Sequence, residues 1–255
     1  MPTERLVLTN RHNEKIVGLV DKARAPKGSV VIMHGLGGQK EEKVLQVIAN
    51  IFVQHNITAI RFDATNGVGE SSGSYEDATT TNFIENLEDV LQSAQEEPWF
   101  PQPLYLAGHS LGGLASTIYA EKHPDLVKAL APIATVVSGE LTAEVRGEAY
   151  MHRWKQQGRR TETDPHRPGL KWSHMEDRLR YDALENATAL TMPVLMIVGE
   201  NDTHTPVVHQ ALLFEQLKNP KELHVISGAP HELAAPEQLA QVQTIFSAWL
   251  DRIAS

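Results

Sequence analysis

Ser110 lies in the stretch Gly108-His109-Ser110-Leu111-Gly112-Gly113, a G-x-S-x-G pattern with an apolar run directly before it and a helical pattern directly after. A serine on a very tight turn between strand and helix has its hydroxyl lifted above the sheet. Only small residues on either side let such a turn close, and Gly108 and Gly112 supply that smallness. A plainer reading makes Ser110 a helix cap in a glycine-rich loop. The strand before it and the helix after it favour a nucleophile.

A serine hydroxyl attacks a carbonyl only when a base takes its proton. Twelve histidines are available, most of them expected on the surface. His231, in Gly228-Ala229-Pro230-His231-Glu232, follows the last strand-like run and faces the same sheet edge as Ser110, so it is the expected general base. The base needs a carboxylate to fix its tautomer and stabilise the imidazolium. Asp202 lies just beyond the end of the preceding strong strand, before a helix opened by Pro206. Glu200 and Glu232 are its acidic rivals, and a simple turn aspartate is the plainer reading. A developing oxyanion needs two backbone donors. The N–H of Leu111 is one, and Leu36, in the turn His34-Gly35-Leu36-Gly37-Gly38, is the expected second. Those glycines could also serve only a tight turn.

The elements that must position these groups alternate. Short apolar runs read as strands: Ser29–Met33, Ile57–Phe62, Leu104–Ala107, Val127–Ile133, Pro193–Val198 and Glu222–Ile226, after a hairpin of Arg5–Leu8 and Lys15–Val20. Helical patterns cover Glu41–Gln54, Thr80–Ala94, Leu114–Lys122, Val207–Leu217 and Pro236–Ile253. The order implies an α/β chain, with a mainly parallel eight-stranded sheet and helices on both faces. Ligands of such sheets sit outside the C-terminal strand ends. The alternation breaks over residues 138–188, which read as a lid inserted after the sixth strand of a single domain spanning residues 1–255. Within it, Thr161–Leu170 reads as loop and Lys171–Leu184 as helix.

Composition narrows the function further. With 23 basic and 32 acidic residues, the net charge is −9, which disfavours nucleic acid as a partner. Absence of cysteine excludes a disulfide framework, a thiolate-held metal and a cysteine nucleophile. No apolar run reaches the roughly 18–20 residues of a membrane span. The first residues lack the layout of a secretory signal, and a cytoplasmic chain is expected. His152, His166 and His174 are too scattered for a metal site and read as surface residues. Gly67-Val68-Gly69-Glu70-Ser71-Ser72-Gly73 has the wrong spacing for a dinucleotide loop.

Taken together, His34-Gly35, the Arg61-Phe62-Asp63 turn with Gly67, Gly69 and Ser71, the Ser110 segment, Gly199-x-x-Asp202 and His231 resemble the α/β-hydrolase superfamily over nearly the whole length. The compact size and inserted segment are similar to its feruloyl/cinnamoyl-esterase and monoacylglycerol-lipase-like groups. The resemblance implies two-step acyl transfer through Ser110 with an oxyanion site at Leu36 and Leu111. The turn after Asp63 departs from the pattern often seen there and reads as structural.

The expected function is a serine hydrolase cleaving a small-molecule carboxylic ester with Ser110, His231 and Asp202, using no cofactor and no metal. A thioesterase or amidase with the same three residues is the alternative within enzymes. A ligand-binding protein with little turnover is the alternative outside them. Trp154 and Trp172 lie in the lid and read either as packing or as an acyl-pocket wall, with the wall expected for at least one. Basic residues of the lid, including Arg146, Arg160 and Arg178, are matched by a similar number of acids, so no selection for an anionic substrate is expected.

Overall fold

The computed structural model describes residues 3–160 and 169–253. An eight-stranded sheet runs in the order β1-β2-β4-β3-β5-β6-β7-β8. Strands β1 (Thr3–Thr9) and β2 (Lys15–Asp21) form an antiparallel hairpin, and β2 also pairs antiparallel with β4 (Thr58–Asp63). The rest is parallel: β3 (Ser29–Met33), β5 (Leu104–His109), β6 (Val127–Ile133), β7 (Val194–Gly199) and β8 (Lys221–Ile226).

Strands buried on both faces alternate their side chains between two apolar layers. Val31, Met33, Leu104, Leu106, Val194 and Met196 pack with α2 (Thr80–Gln95), α3 (Leu111–Lys122) and α7 (Val207–Gln216). Val30, Ile32, Tyr105, Ala107, Leu195 and Ile197 pack with α1 (Lys43–Gln54) and α8 (Pro236–Ile253). Apolar spacing on α1 and α2 matches the buried face of each helix, and the Thr79 hydroxyl caps α2 by accepting from Asn82 N. Among the described residues, no helix is long and apolar enough to cross a membrane.

The segment between β6 and β7 carries α4 (Gly139–Arg146), α5 (Glu148–Gln157) and α6 (Ser173–Arg178). The helical pattern expected over Lys171–Leu184 is realised only in α6. Beyond it the backbone pairs with the start of the insertion instead. Gly139 N donates to Tyr181 O at 3.1 Å, Ala183 N donates to Val137 O at 2.9 Å, and Ser138 bridges Asp182. Most of the expected loop over 161–170 lies outside the described residues. A small cluster of Tyr75, Ala78, Trp154, Leu170 and Met175 binds the insertion to the sheet side. Thr81 N and Oγ1 add hydrogen bonds to Asp177 at 2.8 and 2.5 Å.

Candidate active site

The site is built where β3, β5, β6, β7 and β8 end. Ser110 joins β5 to α3 with φ 55° and ψ −116°, a backbone conformation that costs energy for any residue with a Cβ. The surroundings hold it there. Ser110 N donates to Ile133 O at 2.9 Å, and Val136 N donates to Ser110 O at 3.1 Å. A Cβ on Gly108 would sit 2.3 Å from Gly112 O, and one on Gly112 would sit 2.4 Å from His34 O. The glycines are therefore required by contact: the turn can close only without side chains at both positions.

His231 lies in the loop between β8 and α8. Its Nε2 is 3.0 Å from Ser110 Oγ, and its Nδ1 is 2.7 Å from Asp202 Oδ2. With Nδ1 protonated toward the carboxylate, Nε2 carries the lone pair that accepts the serine proton. His109, buried beneath, fixes the loop: its Nε2 donates to His231 O at 2.9 Å. Burial pushes His109 down to about 3, assisted by nearby His231, so it is neutral there.

Asp202 is buried and well supplied with donors. Its Oδ1 accepts from the backbone N of His204 and of Thr205, both at 2.8 Å, and the Thr205 hydroxyl is 2.8 Å from Oδ2. Burial alone would raise its pKa. The hydrogen bond and charge of His231 and the Thr205 contacts outweigh that and hold it at about 2. The rival Glu200 is exposed and accepts instead from Gly228 N and Ser227 Oγ, closing the β7–β8 end. Glu232 lies at the rim of the cavity, exposed. Asp202, His204 and His231 form a group of metal-ligand type within 4.8 Å, but Asp202 and the Nδ1 of His231 are engaged with each other.

The turn after β3 reaches the same point. Gly38 N donates to Gly35 O at 3.0 Å, and a Cβ on Gly35 would sit 2.9 Å from the Cβ of Ser110. Buried His34 anchors the turn, with Nδ1 donating to Gly35 O at 2.7 Å and Nε2 accepting from Ala64 N at 2.9 Å. Leu36 thus lines the cavity beside Ser110, and Leu111 begins α3 immediately after it. The positive end of a helix dipole lies there, where negative charge is favoured. The turn after Asp63 is structural in its bonding. Asp63 accepts from Lys40 Nζ at 2.7 Å and from Glu70 N at 2.8 Å, and a Cβ on Gly69 would strike its carboxylate at 2.2–2.5 Å.

A cavity of about 520 Å³ opens over Ser110. On the sheet side it is bounded by Leu36, Val136 and His231, and on the insertion side by Arg146, Tyr150, Arg160 and Arg178. Among the described residues, neither Trp154 nor Trp172 lines it, against the expectation of a pocket wall for at least one of them. Trp154 is buried in the lid cluster, donates Nε1 to Leu170 O at 3.0 Å, and packs edge-on against Trp172 at 5.5 Å. Both rings therefore pack within the segment between β6 and β7. The expected surface position of His174 is also corrected. It is buried, stacked on Trp154 with Nδ1 donating to Ala78 O at 2.7 Å, and burial together with Arg178 pushes its pKa well down. His152 is exposed as expected, and His166 lies outside the described residues. The charge balance of the insertion does not carry over to the cavity either: three arginines line it against one acid, Glu232, among the described residues.

Such an arrangement can move a proton from a serine hydroxyl to an imidazole while a carbonyl is attacked. Residues 24–161, more than half of the chain, match the family model "Serine aminopeptidase, S33". No curated protein sequence matches at a significant level. Among solved structures, the chain is similar to the ferulic acid complex of Est1E from Butyrivibrio proteoclasticus, with a TM-score of 0.85 at 22% identity, covering 98% of this chain and 99% of that one. It is also similar to mouse alpha/beta hydrolase domain-containing protein 10, with a TM-score of 0.81 at 16% identity over 98% and 99%. The esterase domain of a Rhodothermus marinus protein gives 0.74 at 19% over the full length of both. At these identities the structures speak for the fold alone, and the family model carries the assignment: the chain is an α/β hydrolase and belongs to the serine aminopeptidase S33 family.

Proposed function

We propose that the chain is a serine esterase that works through an acyl-enzyme, with residues 138–188 as a lid on a single hydrolase domain. The observation that carries this reading is the hydrogen-bonded chain Asp202–His231–Ser110 opening into a cavity. Ser110 Oγ attacks the ester carbonyl as its proton passes to His231 Nε2. The tetrahedral oxyanion is held by the N–H groups of Leu36 and Leu111. Collapse breaks the bond to the alcohol, which leaves with the proton from His231. Water, giving its proton to the same nitrogen, then attacks the acyl group and releases the acid. Asp202 orients the imidazole throughout and stabilises its charged form.

An amide substrate is the second reading, favoured by the family description. The cavity speaks against an aminopeptidase. A peptide N-terminus is cationic, and it would have to enter beside Arg146, Arg160 and Arg178. The test is turnover of a p-nitrophenyl ester and of the matching p-nitroanilide. The ester is expected to give a burst of one p-nitrophenol per chain, followed by steady turnover. Anilide cleavage at an equal or greater rate would replace the ester reading with the amide one.

A further inference from the structure

Arg178 ends α6 and is buried in the wall of the cavity over Ser110. Its Nε and Nη2 are buried and have no hydrogen-bond partner among the described residues. Leaving one buried charge without a counter-ion is strongly unfavourable, so a buried guanidinium is normally paired. Two further cations of the cavity wall act on it, against a weaker opposing pull from Tyr75 and Asp177. Burial lowers its pKa, and Arg146 and Arg160 add to the effect, bringing it to about 9, so it remains cationic at neutral pH.

Among the described residues, the acidic groups on the neighbouring elements make no hydrogen bond or ion pair with it. Asp177 precedes it on the same helix but accepts from Thr81 N and Oγ1. Glu76 and Asp77 are taken by Arg159 and Lys171. His174, one turn back on α6, is held neutral. The other two arginines of the cavity each lie over an aromatic ring, Arg146 over Tyr150 at 5.6 Å and Arg160 over Trp154 at 5.2 Å. One guanidinium is thus left wanting an anion, and the open space it borders is the space into which Ser110 faces.

We propose that the substrate carries a carboxylate and that Arg178 binds it inside the cavity, while Ser110 attacks an ester elsewhere on the same molecule. This rests on the esterase reading above. A single unpaired guanidinium calls for a single negative charge. Its planar fork of N–H donors matches the two oxygens of a carboxylate. The cavity is cationic in a chain whose net charge is −9, so it stands out locally against a surface that repels anions.

The test uses two matched ester pairs. One is mono-p-nitrophenyl glutarate against its methyl ester, with the charge on the acyl side. The other is 4-acetoxybenzoate against methyl 4-acetoxybenzoate, with the charge on the leaving group. At least one pair is expected to show a tenfold or greater preference in kcat/KM for the charged member. That preference should fall at least tenfold in Arg178→Met and partly in Arg178→Lys. A second measurement needs no turnover. In Ser110→Ala, glutarate or benzoate should raise the melting temperature, and Arg178→Met in the same background should abolish the rise. Equal or better use of the neutral ester in both pairs, or a preference unchanged in Arg178→Met, would overturn the proposal. Stabilisation by phosphate or sulfate but not by carboxylates would overturn it as well. Stabilisation by carboxylates without turnover of any ester would remove the esterase reading and leave the anion site standing.

Discussion

Asp202 and Arg178 are both buried and charged, and both belong to the same cavity region, but their surroundings are opposite. Asp202 receives two backbone N–H groups, contact from the Thr205 hydroxyl and the imidazole of His231. Its charge is stabilised by the protein itself. The Nε and Nη2 of Arg178 have no partner among the described residues, and Arg146 and Arg160 of the cavity wall repel it. One region is complete before substrate arrives, and the other is completed by what binds. Preorganised dipoles of the first kind suit groups that do chemistry, because nothing has to rearrange when charge develops. An unsatisfied group of the second kind suits recognition, because only a complementary ligand relieves it.

Dismantling the hydrogen-bonded chain should cost the most activity. Ser110→Ala should lower kcat by about five orders of magnitude with the fold retained, leaving only the contribution of the oxyanion site and binding. Circular dichroism and steady-state assay of the same sample check both halves. Asp202→Asn should cost about 10⁴ in kcat with KM little changed, because the amide presents the wrong hydrogen-bonding pattern to His231 Nδ1. Near-normal activity in Asp202→Asn alongside a crippled Glu200→Gln would move the orienting role to Glu200.

Trp154 sharpens the contrast from the side of packing. Its ring fills the lid cluster and its N–H is satisfied by Leu170 O. Trp154→Ala should therefore lose about 3–5 kcal/mol of stability. Its kcat/KM should shift in parallel across an acyl-length series, as read by thermal melts and assays. A change confined to long acyl chains would restore it as a pocket wall.

Glu121 offers a control far from the chemistry. Its Oε1 is buried without a partner among the described residues, and burial, then Asp182 and Glu185, push its pKa up to about 8. The folded form thus holds a proton that the unfolded chain releases above its ordinary value of 4.5. Stability is fully present below pH 4.5 and falls as pH rises through about 8. Glu121→Gln should gain on the order of 3 kcal/mol at pH 8 and nothing at pH 4. Melting curves at the two pH values check this. Glu121 meets its burial by keeping a proton, whereas Arg178 keeps its charge.

The scaffold and the three residues that the structure brings into one hydrogen-bonded chain are readable from the sequence because local features determine them. Unbroken apolar runs mark strands buried on both faces, and glycines mark the turn at Ser110. His231 and Asp202 lie just past the ends of β8 and β7. The cavity wall was not readable, for a tertiary reason. Arg178 becomes a cavity residue only because α6 stops early and residues 181–183 turn back to pair with 137–139. Aromatics among charges look the same whether they face a ligand or each other, so Trp154 and Trp172 took the place that belongs to Tyr150 and the arginines. A lone histidine in a charged segment gave no hint that His174 would be buried.

We propose Ser110 as the nucleophile of the Asp202–His231–Ser110 chain. Its most direct test is peptide mass spectrometry of the wild-type protein after treatment with a fluorophosphonate. One stoichiometric adduct on Ser110, with ester turnover abolished in step with labelling, is the predicted result. An adduct on Ser71, Ser72 or Ser138, or full turnover in a protein labelled at Ser110, would contradict it.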